Sequence, residues 1–290
     1  MVGLAVLDFC FDVEALPRHA EKYIASGAGM VGGGGAANAA VAVTRLGGNA
    51  MLAARVGDDM FGDLIVEQLQ KDGVDTSLVQ VTATARSSFS SVLVNQQGER
   101  QIVNFRGTGL SDDCTALQSL RVDAVLSDTR WHNGTLAALQ LAQRLGVPAI
   151  VDAEAPVNTE ALKLASHCAF SKQGLHALTG ISDPQLALHA ARAHCNGFIC
   201  VTDGEHGVYY LDGDVVRFVP AYAVNVVDTL GAGDVWHGAF AYALAEQQTE
   251  YDAMCFANAA AALKCTCKGG GRVAPRREQV NQLIQQGDTK

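Results

Sequence analysis

The run Val226-Val227-Asp228-Thr229-Leu230-Gly231-Ala232-Gly233-Asp234 constrains this chain more than any other stretch. Val224 to Val227 read as the end of a buried strand. Gly231, Ala232 and Gly233 then let the backbone turn tightly with almost no side chain in the way. A helix follows, with Trp236, Phe240, Ala243 and Leu244 at helical spacing. The turn therefore sits where a strand hands over to a helix N-terminus. N–H groups there lack partners within the helix and attract anions. Asp234 places a carboxylate at that anion site. On the turn alone, two readings stay open: a helix cap, or a base beside a bound phosphate. Two acids, Asp228 and Asp234, bracketing the turn make the second more specific than a lone Gly-x-Gly-Asp would.

The rest of the chain bounds what such a site could serve. The 290 residues suffice for one large α/β domain, or a core with a small appendage. The net charge of −9 argues against general binding of nucleic acid or anionic membranes. An anionic substrate would need a local basic pocket. The eight cysteines match no zinc spacing, and Cys265-Thr266-Cys267 is too tight for a ligand pair. They read as reduced thiols in a reducing compartment, hence a cytoplasmic protein. Met1 to Asp8 is too short for a signal peptide, and no apolar run reaches the ~20 residues of a membrane helix. The first strand starts almost at Met1, which leaves open a longer native N-terminus.

In chain order, Val2 to Leu7 reads as a buried strand ending at Asp8, the end of an open α/β sheet where ligands bind. Residues 9–30 have no helical period and suit an excursion from the sheet, with an irregular strand over 22–25. Gly32 to Gly35 allow close approach of a ligand to the backbone, and an alanine-rich helix runs on to Gly47. Asn38 stands in its first turn. The glycines do not follow the first strand directly, which weakens a dinucleotide-binding reading. Ala50 to Val56 is a strand and Asp63 to Asp72 an amphipathic helix. Ser87 to Val94 and Arg100 to Phe105 form a hairpin about Asn95 to Glu99, suited to a lid or a dimer surface and able to pair with residues 23–25. From residue 120 strands and helices alternate, which implies a mostly parallel, doubly wound sheet. A second hairpin turns at Asp212-Gly213-Asp214, and two helices close the chain at 252–264 and 277–285.

Four motifs now stand in one order: Asp8 after the first strand, Gly33-Gly34-Gly35-Ala36-Ala37-Asn38, Val56-Gly57-Asp58-Asp59, and Asp228 to Asp234. Together they resemble the ribokinase/PfkB family of carbohydrate kinases over nearly the whole chain. That resemblance implies a single ribokinase-like domain over 1–290, with lid segments at about 9–30 and 85–107. It implies ATP, Mg2+ and phosphoryl transfer to a sugar hydroxyl. Asp234 would be the catalytic base, and Gly231, Ala232 and Gly233 the anion hole. Asp8, Gly34 and Asn38 would hold the sugar. Thr202, Gly204 and Gly207 in Thr202-Asp203-Gly204-Glu205-His206-Gly207 would lie near ATP, with Asn258 at the adenine pocket. Asp228 would help bind a monovalent cation such as K+, as in some members.

Two departures matter. The family's Asn-x-x-Glu motif is replaced by Ser171-Lys172-Gln173-Gly174, so no metal ligand is named. The usual lysine of the glycine motif is Gly35. Asp128-Thr129-Arg130-Trp131-His132-Asn133-Gly134 and Ile102-Val103-Asn104-Phe105 look most like the sulfofructose kinase branch. That branch implies 6-deoxy-6-sulfofructose phosphorylated at C1. Arg130 would fork around the sulfonate, Asn104 would stand beside it and Lys22 would add charge from the lid. An ordinary salt bridge is the competing role for Arg130, and Trp131 reads as packing. A kinase of neutral sugars, nucleosides or ketose phosphates is the alternative. A sugar-binding regulator with weak catalysis is the alternative from another class. A homodimer through the lid fits its exposed face.

Overall fold

The computed structural model describes residues 1–287. The chain begins in the middle of its main sheet, where Val2 bridges both Ala53 and Ser127 in parallel. It then leaves that sheet. β1 (Val6–Asp12) pairs antiparallel with β2 (Gly27–Gly33), so the strand continues past Leu7 and Asp8 lies inside it, opposite Val31. This corrects the expected strand end at Asp8. The strand expected over 22–25 is absent, and residues 27–33, read as the end of an excursion and the start of a glycine stretch, form β2 instead. A glycine-rich strand carries too few side chains for a period to show.

α1 (Gly35–Arg45) is the alanine-rich helix, buried from Ala36 to Val43. β3 (Arg55–Gly57) is shorter than expected and leads to α2 (Met60–Lys71). Asp59 caps α2 by accepting from Gly62 N–H at 2.9 Å, and its other oxygen accepts from Ser87 N–H at 2.8 Å. β4 (Gln80–Thr82) pairs with β3. β5 (Phe89–Val94) and β6 (Arg100–Phe105) are the expected hairpin, and the small sheet runs β2-β1-β5-β6.

The second half alternates as its pattern predicts. β7 (Val125–Ser127), α3 (His132–Leu145), β8 (Ala149–Ala153), α4 (Thr159–Leu164) and β9 (His167–Ser171) follow in turn. α5 (Lys172–Thr179), not foreseen, is capped by Ser171, and α6 (Pro184–Ala191) leads to β10 (Phe198–Thr202). β11 (Gly207–Asp212) and β12 (Val215–Pro220) form the second hairpin. The six-stranded sheet keeps sequential order, β7 to β10 parallel and the last two antiparallel. With Val2 between Ser127 and Ala53, the direction of winding reverses at residues 2–4. That reversal opens a crevice at the strand ends.

α7 (Ala232–Ala245) and α8 (Glu250–Cys265) pack with α1 on one face, while α3 to α6 cover the other. Trp236 and Phe240 of α7 stack with centroids 5.0 Å apart and are fully buried. Each such side chain contributes roughly 1.5–3 kcal/mol by leaving water. At Gly238 a Cβ would stand 2.6 Å from the Ala39 carbonyl, so α1 and α7 touch backbone to backbone. Residues 221–231 carry no strand, and Val226 and Val227 are 61% and 63% exposed. The buried strand expected there is thus a surface segment. The N–H groups of Val227 and Asp228 bond to the Cys265 carbonyl at the end of α8, not to a ladder. α9 (Arg277–Gly287) closes the described chain. All eight cysteines are free; three are buried and Cys267 is exposed.

Candidate active site

α7 starts at Gly231, whose φ of 75° is left-handed and whose Cβ position would fall 2.7 Å from Gly271 N. Only glycine meets both demands. Gly233 and Asp234 follow in the first helical turn, where N–H groups have no carbonyl four residues back within the helix. The Asp234 carboxylate accepts from Asn38 Nδ2 at 2.6 Å. Asn38 comes from the first turn of α1, so the two helices packed through Gly238 fix this pair. Burial pushes the Asp234 carboxyl above its ordinary range, against the Asn38 hydrogen bond and the His237 ring; the Glu154 carboxylate adds to the rise.

Asp234 lines a cavity of about 310 Å³ with Asp8, Gly34, Asn104 and Arg130. Five residues singled out in the sequence thus converge from β1, the start of α1, β6, the β7–α3 loop and α7. Gly34 is obligatory: its φ is 99° and a Cβ would lie 2.3 Å from the Leu4 carbonyl. Burial also raises the Asp8 carboxyl, a Ser90 hydrogen bond opposes this, and the Asp234 carboxylate adds to it. Asn104 donates to Ser90 Oγ at 3.0 Å, within the small sheet.

Several lining residues escaped the sequence reading. Asp128 accepts from Leu4 N–H at 2.7 Å, Ala36 N–H at 3.0 Å and Arg130 N–H at 2.9 Å. It ties the chain reversal to the start of α1. Asp152, on β8, has His237 Nε2 at 3.6 Å. Burial pushes its carboxyl up to about 7, with the His237 ring opposing. Period alone could not flag these acids, because each ends an apolar run as any turn residue might.

Arg130 is committed. Its guanidinium pairs with Glu154 and donates to the Ala155 carbonyl at 3.2 Å. The salt-bridge role is the one observed. Trp131 is buried, donates to Asp112 Oδ1 at 2.7 Å and lies under the Arg55 guanidinium, so it packs as expected. Lys22 is exposed and is not among the lining residues.

The residues expected near ATP lie apart from this cavity. Thr202 ends β10 and donates to the Phe170 carbonyl at 3.3 Å. Gly204 and Gly207, with φ of 53° and 133°, shape the turn closed by Asp203 N–H on the Gly207 carbonyl at 2.7 Å. Asn258 is 5% exposed and fully engaged. Its Oδ1 accepts from Trp236 Nε1 at 2.8 Å, and its Nδ2 donates to the carbonyls of Val219 and Pro220. It fastens α8 to α7 and β12.

Metal ligands are not evident. Ser171 caps α5 through Gly174 N–H, and the Lys172 ammonium sits 2.7 Å from Asp203. The stretch in place of Asn-x-x-Glu therefore presents a cation and a capping hydroxyl, which do not fit a metal. Among the described residues no group of three or more His, Cys, Asp or Glu could hold one. Nor does any described helix have the length and apolarity to cross a membrane. Asp228, expected to help bind K+, is already bonded to the Lys264 ammonium at 3.1 Å.

Comparison with known proteins places this geometry. The model of the pfkB family carbohydrate kinases matches residues 1–277. The chain is 30% identical to the ribokinase of Bacillus subtilis over 98% of both chains. It is also 30% identical to fructokinase-1 of Oryza sativa subsp. japonica, over 87% of this chain and 88% of the relative. Arabidopsis thaliana ribokinase, solved with ribose and ATP, superposes with a TM-score of 0.85 at 25% identity, covering 98% of this chain and 97% of that one.

Proposed function

The chain belongs to the pfkB family of carbohydrate kinases, and from that premise we propose that its cavity takes a neutral sugar whose hydroxyl meets Asp234. It is an ATP-dependent carbohydrate kinase; the sugar, the hydroxyl and the residue roles are our reading. The observation that carries it is the meeting of Asp234, Asp8 and Gly34 in one cavity at the N-terminus of α7.

In this reading the ionised Asp234 takes the proton as the sugar oxygen attacks the γ-phosphorus of ATP, and ADP leaves. The Gly231 to Gly233 turn meets the charge of the transferring phosphoryl group with N–H donors in the first helical turn. Asn38 orients the Asp234 carboxylate and, with Asp8 and Gly34, holds the sugar. The small four-stranded sheet acts as the lid, and its exposed Met30 and Val103 fit a contact with a second copy. Thr202, Gly204 and Gly207 form the nucleotide-side turn, while Asn258 supports it from within. Mg2+ enters with ATP as substrate.

Neutral sugars are favoured because five carboxylates and three arginines line the cavity, and Arg130 is spent on Glu154. Ribose and fructose are the first candidates, as the names of the Bacillus and rice relatives suggest. One observation favours a second reading: Arg106 also lines the cavity and makes no ion pair among the described residues, leaving it for an anionic ketose such as 6-deoxy-6-sulfofructose. The test is ADP release with ribose, fructose, adenosine, fructose 6-phosphate and 6-deoxy-6-sulfofructose. The highest kcat/KM should fall to a neutral sugar. A tenfold or greater preference for an anionic ketose, about 1.4 kcal/mol, overturns the neutral assignment. Sugar binding without ADP release would point to the regulator.

A further inference from the structure

We infer that Lys264 is a resident cation for the α7 turn: its ammonium takes the position at Asp228 that a monovalent metal ion would need, and the protein works without K+. Lys264 is 0% exposed, which a lysine tolerates only when its charge is matched. Its Nζ donates to the Asp228 carbonyl at 2.7 Å and to Asp228 Oδ2 at 3.1 Å. A main-chain carbonyl and a carboxylate oxygen from one residue are the donors a hard cation seeks. Both are already engaged.

The rest of the Asp228 carboxylate is engaged too. Oδ2 accepts from the N–H groups of Gly269 and Gly270 at 3.2 and 3.3 Å. Oδ1 accepts from Leu230 N–H at 2.8 Å and has Arg100 Nη2 at 4.0 Å. Burial pushes this carboxyl up, but the Leu230 N–H, the Lys264 ammonium and the Gly269 N–H outweigh it and hold it below its ordinary range. A further cation would meet a buried ammonium and a guanidinium, both of like charge.

The clip has a route to Asp234. It fixes residue 228 and the 269–270 loop to the end of α8. Gly271 follows at once, with its backbone where a Gly231 Cβ would fall and its own Cβ position 2.5 Å from Asn38 Cγ. Asn38 holds Asp234. Lys264 is thus a positioning residue: it touches no reacting atom and orders the segments that do.

The inference rests on the kinase reading only for its activity arm. The full chain is placed in tetramethylammonium buffer, and KCl is titrated in at constant ionic strength. Melting temperature and ADP release with ATP and the preferred sugar are followed. An ion bound at a hundred times its Kd would raise the melting temperature by several degrees. The expected shift is under about 1 °C, with rates within about twofold. A rise of several degrees, or a fivefold activation by K+, overturns the inference. Lys264→Met removes the charge and keeps the stem. It should lose about 10²-fold in rate through misplacement of the turn, and K+ or ammonium should restore part of both rate and melting temperature. Wild-type rates for Lys264→Met in tetramethylammonium would overturn the positioning role. If that variant does not fold, the wild-type titration decides. If no sugar tested releases ADP, the melting arm still reports on the cation site while the proposed sugar assignment fails.

Discussion

The two flanks of Asp234 are built differently. On the proposed sugar side, residues from many segments of the chain meet around one cavity, and a network of polar contacts holds it: Asn38 on Asp234, Asp128 on three N–H groups, Arg130 on Glu154. On the proposed nucleotide side, Thr202, Gly204 and Gly207 shape a turn at the sheet's end, and the neighbouring segment leaves Val226 and Val227 in solvent. The contrast teaches that the proposed sugar flank is preorganised by side chains paired across segments, whereas the proposed nucleotide turn itself offers mainly backbone shape, braced from within by Asn258. A buried network is costly to break at any member; a surface turn is not.

Asp234→Asn strikes the contrast hardest. Turnover should fall roughly 10²–10⁴-fold, while ATP affinity measured by calorimetry stays unchanged. Wild-type turnover would remove the base from this residue. Asn258→Ala comes next. It strands the Trp236 N–H and two carbonyls, at a cost of about 1–3 kcal/mol, read as a melting temperature lower by several degrees. The KM for ATP should move little. A large KM change with unaltered melting would make Asn258 a direct nucleotide contact. Asp152→Asn is the smallest effect. Its carboxyl, raised to about 7, holds a proton in the folded protein that the unfolded chain gives up near pH 4. The stability this contributes is full below that unfolded value and is lost as pH rises through about 7. The drop in melting temperature from pH 5 to pH 8 should therefore shrink in the variant. An unchanged drop would assign the pH dependence elsewhere.

The alternation of the second half was legible because short apolar strands and periodic helices carry their own signatures. α4 over 159–164 and β10 over 198–202 stand where the pattern placed them. The motifs around the cavity were legible because glycine and acid spacing survives any packing. What failed shares one cause. β2 is built of glycines with little period, and the valine-rich run 224–227 looks like a strand but pairs with no strand, its Val227 N–H bonding to the end of α8. Arg130 shows the same limit: the sequence offers an arginine, and only the fold reveals Glu154 beside it.

The turn at Asp228 to Asp234 marks the division between the two sources of order. By itself the sequence determined a glycine turn opening a helix, an acid in its first turn and, far upstream, an alanine-rich helix with Asn38 in its first turn. These follow from backbone freedom and hydrophobic period, which are local. Only the tertiary structure decided that Asn38 would hold Asp234 and that Lys264, thirty-six residues beyond Asp228, would supply the cation there. Those pairings join residues far apart in sequence, and no local propensity encodes which buried charge will find which partner.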